Sequence, residues 1–166
     1  GRLGHAIVAH PESFTVKDRD WMEWYYPGVG GAVRGAAARA RIDERWDDFV
    51  VPGLGIRCVD DRPWVTGAET CELVMALEAI GDSARARGQF AAMHHLREEY
   101  GSYWTGLVFA DGKRWPEERT TWTGAAMILA ADALSSTTAA GGIFRGTDLP
   151  PGLEGDYDCA CATSER

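Results

Sequence analysis

Apolar residues recur at helical spacing in three successive segments between residues 64 and 134. The first segment opens on a capping box, because Thr66 and Glu69 have the T-x-x-E spacing. Its apolar stripe consists of Leu73, Val74, Leu77 and Ile80. The second segment covers residues 84–99, and the stripe of the third consists of Trp122, Ala126, Leu129 and Ala133. These patterns predict an all-α fold in which inner and outer helices alternate, as in an α/α toroid.

The chain on either side of this segment is less regular. Residues 1–63 contain shorter helical patterns, including Trp21, Trp24 and Tyr25 on one helix face, separated by Gly- and Pro-rich loops. After Arg145 the chain is rich in Gly, Pro, Asp and Ser and has little apolar pattern. We therefore predict one helical domain at 1–145 and a disordered C-terminal tail at 146–166.

The composition of the chain argues against several functional classes. The 166 residues carry a net charge of −8, which argues against a nucleic-acid footprint and against a polybasic membrane patch. No apolar run approaches the roughly 20 residues of a membrane span, and no signal-peptide pattern opens the chain. We therefore expect a cytoplasmic protein with no nucleic-acid partner and no membrane span. The C-x-C formed by Cys159 and Cys161 has no second pair or histidine nearby, so no metal site is predicted.

Charged and aromatic residues gather at the starts of the first and third helices. The candidate catalytic groups, which could act as acid and base, are Asp60, Asp61, Glu69 and Glu118. The candidate substrate-binding residues are Trp64, Glu72, Trp104, Arg114, Trp115 and Arg119. Arginines can hold a diphosphate, and tryptophan faces can stabilise a cation or stack on a ring. A toroid would bring the two helix starts to one end and form a concave pocket. The alternative is that the carboxylates are caps and the tryptophans are core.

The segment at 64–134 resembles the repeat of prenyltransferase β subunits and squalene/hopene cyclases. The similar features are the Thr-rich helix start at 66–77, the outer helix with Gln89 and Leu96, and the turn Gly101-Ser102-Tyr103-Trp104, which is similar to the aromatic end of the cyclase QW motif. The resemblance implies about half of an (α/α)6 barrel, corresponding to a C-terminal half. It also implies an enzyme that acts on a prenyl diphosphate in an aromatic-lined cavity, with Mg²⁺ accompanying the diphosphate. Association as a homo-oligomer, or with a missing N-terminal half, would complete the barrel.

Neither chemistry of those families is complete in this chain. Val59-Asp60-Asp61 lacks the first Asp of the cyclase D-x-D-D motif, and no histidine accompanies Asp60 and Cys71 as a third zinc ligand. Two other classes therefore stay open. One is a carbohydrate-active (α/α)-barrel enzyme, which also uses tryptophan platforms and two carboxylates. The other is a non-catalytic helical module that packs on a partner. The residues alone identify no substrate, cofactor or oligomeric state.

Overall fold

The computed structural model describes residues 2–15 and 17–144. The helices within these ranges are α1 (Arg2–Ala9), α2 (Trp21–Val29), α3 (Gly35–Glu44), α4 (Trp46–Phe49), α5 (Gly67–Ala79), α6 (Ser83–Ala92) and α7 (Thr121–Ser135). The strands are β1 (Val50–Val51), β2 (Gly55–Arg57), β3 (Trp64–Thr66), β4 (Gly106–Val108) and β5 (Lys113–Arg114). Short 3-10 turns occur at Pro11–Ser13, Met93–Leu96 and Ala139–Gly142. The tail predicted at 146–166 lies outside the described residues.

The strands form one antiparallel sheet in the order β1-β2-β3-β4-β5. Ile56 in β2 pairs with Thr66 in β3, and Thr66 pairs on its other side with Gly106 in β4. Ile56 and Val65 are fully buried, so one part of this small sheet packs into the core. Because β3 runs directly into α5, the sheet fixes the position at which α5 begins.

The predicted all-α toroid is therefore wrong, and the fold is mixed α/β. Three of the strands, β3, β4 and β5, lie within the segment that was expected to be entirely helical. Each strand is two or three residues long, whereas the alternation that identifies a strand in a sequence needs about 4–8 residues. The sequence therefore indicated a helix start at Trp64, Val65 and Thr66, but these residues form β3.

Helix α5 is the centre of the molecule and packs against α2, α6 and α7. Every residue from 67 to 77 is buried except Glu72. A Cβ on Gly67 would lie 3.0 Å from Thr123 Cγ2 and 3.2 Å from Leu96 Cδ1, so α5 starts in a closely packed position. Thr66 is the N-cap, as predicted, but its hydroxyl makes no capping hydrogen bond. The Gly67 amide instead donates to the carbonyl of Thr105, 2.9 Å away.

Helix α7 has Thr120 as its N-cap and so begins about one turn after Pro116, which the sequence suggested as its first residue. The Thr120 hydroxyl accepts a hydrogen bond of 3.1 Å from the Thr123 amide. The predicted stripe is only half right, because Ala126 and Ala133 are buried whereas Trp122 is 49% exposed and Leu129 is 37% exposed. The buried side consists of Thr123, Ala126, Met127, Ala130 and Ala133. A helix that is apolar all round has no clear periodicity, so its buried face could not be identified from its sequence.

No helix in the described ranges combines the length and the apolar character needed to cross a membrane. Within the same residues, no group of three or more His, Cys, Asp or Glu side chains could hold a metal ion. Cys58 and Cys71 are free thiols, and the Cys159–Cys161 pair lies outside the described residues.

Gly106→Ala is expected to lower the free energy of unfolding by about 1–3 kcal/mol, as overpacking does. A Cβ at Gly106 would lie 2.6 Å from both Trp64 Nε1 and the carbonyl oxygen of Val65, and the backbone oxygen cannot move without disturbing β3. Urea unfolding of this variant and of Gly88→Ala tests the prediction. Gly88 lies in α6 with open space around it, so its alanine variant should be neutral or more stable. Equal stability of the two variants would contradict the close packing of β3 and β4.

Candidate active site

A carboxyl group on α5 lies beneath a cluster of aromatic side chains from α2. Tyr26 donates a hydrogen bond from its hydroxyl to Glu72 Oε2 at 3.1 Å, and the Tyr25 hydroxyl lies 3.4 Å from the same oxygen. Tyr25 donates its shorter hydrogen bond, of 2.7 Å, to the backbone carbonyl of Glu69. Glu72 is thus the point at which the buried surface of α5 reaches solvent.

The sequence of α2 places these tyrosines over α5. Trp21 stacks on the Tyr25 ring at 5.7 Å and meets the Tyr26 ring edge-on at 4.8 Å. Trp21 and Tyr25 are buried, whereas Tyr26 remains 38% exposed. The start of α2 is held to the sheet region because the Trp21 amide donates to the Cys58 carbonyl, 3.3 Å away. The aromatic rings therefore hold both hydroxyls in place above Glu72.

The surroundings of Glu72 favour its protonated form. Burial raises the pKa of Glu72 to about 7, and the negative charge of Glu69 acts in the same direction. Hydrogen bonds from Tyr26 and Tyr25, and a last and smallest one from Trp122, oppose these effects without cancelling them. A carboxyl group with a pKa near neutrality can both hold and release a proton at physiological pH, which general acid catalysis requires.

Glu69 provides a second carboxyl group close to the first. It is three residues earlier on α5, and side chains at that spacing lie on the same face of a helix, roughly 5–6 Å apart at Cβ. Glu69 is only 6% exposed, and burial raises its pKa. Burial also raises the pKa of Tyr25 and of Tyr26, so both hydroxyls stay neutral hydrogen-bond donors. The arrangement is a pair of neighbouring carboxyl groups, each with a pKa raised by burial.

Stability should depend on pH through Glu72. The pKa of Glu72 in the folded state, about 7, lies above its ordinary value of 4.5, so the folded protein binds more protons than the unfolded chain between these pH values. The free energy of unfolding should therefore fall as pH rises from about 4.5 to about 7. Glu72→Gln should stabilise the protein more at about pH 8 than at about pH 4.

Chemical denaturation at the two pH values measures this difference. Glu44→Gln is the control, because Glu44 is exposed at the end of α3. A stability change for Glu72→Gln that is the same at both pH values would show that Glu72 has no raised pKa.

The other predicted site residues form separate groups. Trp64 and Trp115 meet edge-on at 4.8 Å, and Trp64 Nε1 donates to the Trp115 carbonyl at 2.8 Å. The guanidinium of Arg119 lies 4.8 Å above the Trp104 ring and pairs with Glu98 at 2.9 Å. These two contacts bring four of the predicted residues together in pairs.

Two predicted residues are held near these pairs by backbone contacts. The Thr105 amide donates to the carbonyl of Glu118 at 3.0 Å, while the Thr105 carbonyl accepts from Gly67. The start of α5 is therefore linked to Glu118, although the side chain of Glu118 is exposed and that of Glu69 is buried. Arg114 Nη2 donates to the carbonyl of His95 at 2.6 Å. Arg119 lines the cavity described below, and the convergence of all these residues on one pocket stays a prediction.

Asp60 and Asp61 lie in ion pairs with arginines. Asp60 pairs with Arg45 at 2.8 Å, and Asp61 pairs with Arg19 at 2.6 Å. The hydrogen bond from Arg19 lowers the pKa of Asp61, so this group stays ionised at neutral pH. Both aspartates are therefore already occupied by arginines, and their catalytic role stays a prediction.

Three aromatic residues of the site were not identified from the sequence. Tyr25 and Trp122 were assigned to apolar stripes, and Tyr26 was given no role. Their contacts with Glu72 join residues 46 or more positions apart, which no local pattern reveals. The available signal was the Tyr25-Tyr26 pair, because two adjacent helical tyrosines cannot both face the core.

The chain is 81% identical to a mannosidase over all of its 166 residues. That relative is the MMP endo-(1,4)-3-O-methyl-alpha-D-mannosidase of Mycolicibacterium hassiacum. The chain spans 46% of the relative's length. No protein-family model matches the chain. Because slightly less than half of the relative is covered, its activity is a proposal for this chain.

The similarity corrects the earlier interpretation of function. Identity of 81% over every residue outweighs a degenerate repeat resemblance confined to residues 64–134. The predicted membership of the prenyltransferase and cyclase repeat family is wrong, as are the predicted prenyltransferase or cyclase activity and the isoprenoid substrate. Because Mg²⁺ was expected only together with a diphosphate substrate, that expectation no longer has a reason. The carbohydrate-active alternative is the one that the similarity favours.

Proposed function

We propose that this chain forms part of a glycoside hydrolase that cleaves methylmannose polysaccharide, with Glu72 as the proton donor. The observation that carries the proposal is the carboxyl group of Glu72, whose pKa is held at about 7 beneath exposed aromatic rings. The 81% identity with a mannosidase supplies the substrate class.

The chemistry of glycoside hydrolysis uses two carboxyl groups. One carboxylic acid protonates the oxygen of the leaving sugar, and a second carboxylate acts on the opposite face of the ring, either as base toward water or as nucleophile. Glu72 is the acid because its pKa of about 7 leaves part of the population protonated at neutral pH and its side chain reaches solvent. Glu69 is the second carboxyl group that the described residues offer at close range.

The aromatic residues around Glu72 suit a sugar ligand. Tyr26 and Trp122 are both partly exposed; Tyr26 donates a hydrogen bond to Glu72, and Trp122 has a small effect on the pKa of the same carboxyl group. Aromatic rings stack on the C–H face of a sugar and leave its hydroxyl groups to polar partners. The substrate-binding roles expected for Trp64, Trp104, Arg114, Trp115 and Arg119 stay predictions. A cytoplasmic location stays a prediction too, and immunoblotting of cell fractions tests it.

The experiment uses a grafted enzyme, in which this chain replaces the matching stretch of the Mycolicibacterium hassiacum mannosidase. It is incubated with methylmannose polysaccharide, and the products are separated by size and identified by mass spectrometry. The proposal expects internal cleavage that gives short methylated oligosaccharides. Intact polysaccharide after prolonged incubation with a correctly folded grafted enzyme would contradict it, provided that the parent mannosidase cleaves the same sample.

A further inference from the structure

We propose that a cavity on the other side of α7 from Glu72 binds one O-methylated hexose ring of the polysaccharide. This inference rests on the proposed function for its ligand class, but it concerns a separate site. The cavity has a volume of about 260 Å³ and lies between the turn at 101–103 and the first two turns of α7. Its size is just below the ~300–1,000 Å³ of pockets for drug-sized ligands, so it suits a single sugar ring.

The electrostatics of the cavity favour an uncharged ligand. Arg119 is the charged side chain in its lining, and its guanidinium is already paired with Glu98 and lies over the Trp104 ring. No acidic side chain lines the cavity. The wall therefore has neither a free positive charge for a phosphate nor a negative charge for a cation.

The walls combine apolar surface with a few hydroxyl groups. Met127, Ile128 and the ring of Tyr103 form the apolar part, and Ile128 is 70% exposed. Ser102 and Thr120 contribute hydroxyl groups at the edge, of which that of Thr120 is held by Thr123. An unmodified sugar would leave the apolar wall without a partner. A methyl ether on the ring supplies apolar surface, and the remaining hydroxyl groups face the polar edge.

The geometry of α7 separates this cavity from Glu72. Gly124 lines the cavity, and Trp122 lies two residues earlier, so the two positions are about 200° apart around the helix axis. Trp122 influences the Glu72 carboxyl group, and Gly124 lies on the opposite side of the helix from Trp122. Ala125 and Ile128 lie on the exposed arc between them and carry no charge. A neutral, methylated polysaccharide bound at Glu72 can cross this exposed side of α7 and place a more distant sugar ring in the cavity.

The test measures sugar binding by the isolated chain with ¹⁵N NMR. The probes are methyl 3-O-methyl-α-D-mannopyranoside and methyl α-D-mannopyranoside. The expected result is a set of chemical-shift changes at 101–103 and in the first half of α7, with the methylated sugar binding more tightly. Gly124→Met fills the cavity and should weaken binding at least ten-fold. Gly88→Met is the matched control, because both glycines lie within helices and have open space around them.

Several outcomes would overturn the inference. These are shifts confined to residues around Glu72, equal binding by Gly124→Met and the parent chain, or concentration-dependent shifts on α7 without sugar, which would indicate a second copy there. The grafted enzyme gives an independent readout: Gly124→Met should raise KM for long polysaccharide while kcat stays unchanged. Hydrolysis with an unaltered KM overturns the cavity proposal and leaves the proposed function intact. Sugar binding in the cavity without any hydrolysis would contradict the proposed function and leave the cavity proposal intact.

Discussion

Glu72→Gln is expected to slow hydrolysis of methylmannose polysaccharide by the grafted enzyme about 10²–10⁴-fold, the usual contribution of a general acid. Glutamine keeps the shape of the side chain and can still accept hydrogen bonds from Tyr25 and Tyr26, but it has no proton to give to the leaving sugar. The loss should appear in kcat, because the substrate contacts around Glu72 remain. The pH dependence should also change, since the fall in rate above about pH 7 reflects ionisation of Glu72.

The control for this variant is Glu44→Gln, a change of the same chemistry at an exposed position on α3. It should leave the rate and the pH profile unchanged. A second comparison uses aryl mannosides with good leaving groups, which need little protonation and should lose less rate in Glu72→Gln. A Glu72→Gln enzyme that keeps its rate on the polysaccharide would exclude Glu72 as the proton donor.

Leu77→Ala is expected to lower the free energy of unfolding by about 2–5 kcal/mol, as truncation of a buried leucine does. Leu77 is fully buried in α5 and belongs to the core that this helix shares with its neighbours. Leu129→Ala is the matched control. From the sequence both leucines were expected to be buried, but Leu129 is 37% exposed, so its truncation should cost less than about 1 kcal/mol.

Urea unfolding of the two variants at one pH measures this contrast. If the dependence of the unfolding free energy on urea concentration is unchanged and only the midpoint of unfolding shifts, the two variants differ in native stability. Equal losses of stability in the two variants would mean that the side of α7 that carries Leu129 is buried. This result would contradict the 37% exposure of Leu129.

The helices at the centre of the fold could be predicted because their signals are local. Thr66 is the N-cap of α5, as the sequence indicated, whereas α7 starts at Thr121 and not at the suggested Pro116. Leu73, Val74 and Leu77 are buried in α5, as their spacing predicted. Caps and stripes arise from contacts within a few residues, so they can be recognised in one sequence.

The sheet, which makes the toroid hypothesis wrong, is formed by contacts between residues that are distant in sequence. Strand β3 pairs with β4 about 40 residues later, and neither has the length to show a strand pattern. The turn that suggested the cyclase repeat has an ordinary structural role. Its Tyr103 pairs with Arg97, and the Trp104 amide donates to the Leu96 carbonyl at 2.9 Å, so the turn closes the end of a 3-10 segment.

The candidate site was accessible from the sequence only in part. Glu69 and Glu72 were singled out as carboxyl groups near the start of the first helix, and both have a raised pKa. Their partners come from α2, whose tyrosines reach them only after α2 packs on α5. Asp60 and Asp61 were chosen by the same reasoning about charge, yet arginines pair with both of them. The same sequence signal therefore covers ion-paired carboxylates and carboxyl groups with a raised pKa.

The most direct measurement is an NMR titration of the Glu72 carboxyl carbon in ¹³C-labelled protein, with the resonance assigned by its disappearance in Glu72→Gln. The account predicts a pKa of about 7, above the ordinary 4.5. Removing the hydroxyl of Tyr26 by Tyr26→Phe should raise the pKa further, because that hydrogen bond favours the ionised form. A pKa near 4.5 would mean that Glu72 is ionised at neutral pH and would contradict its role as the proton donor.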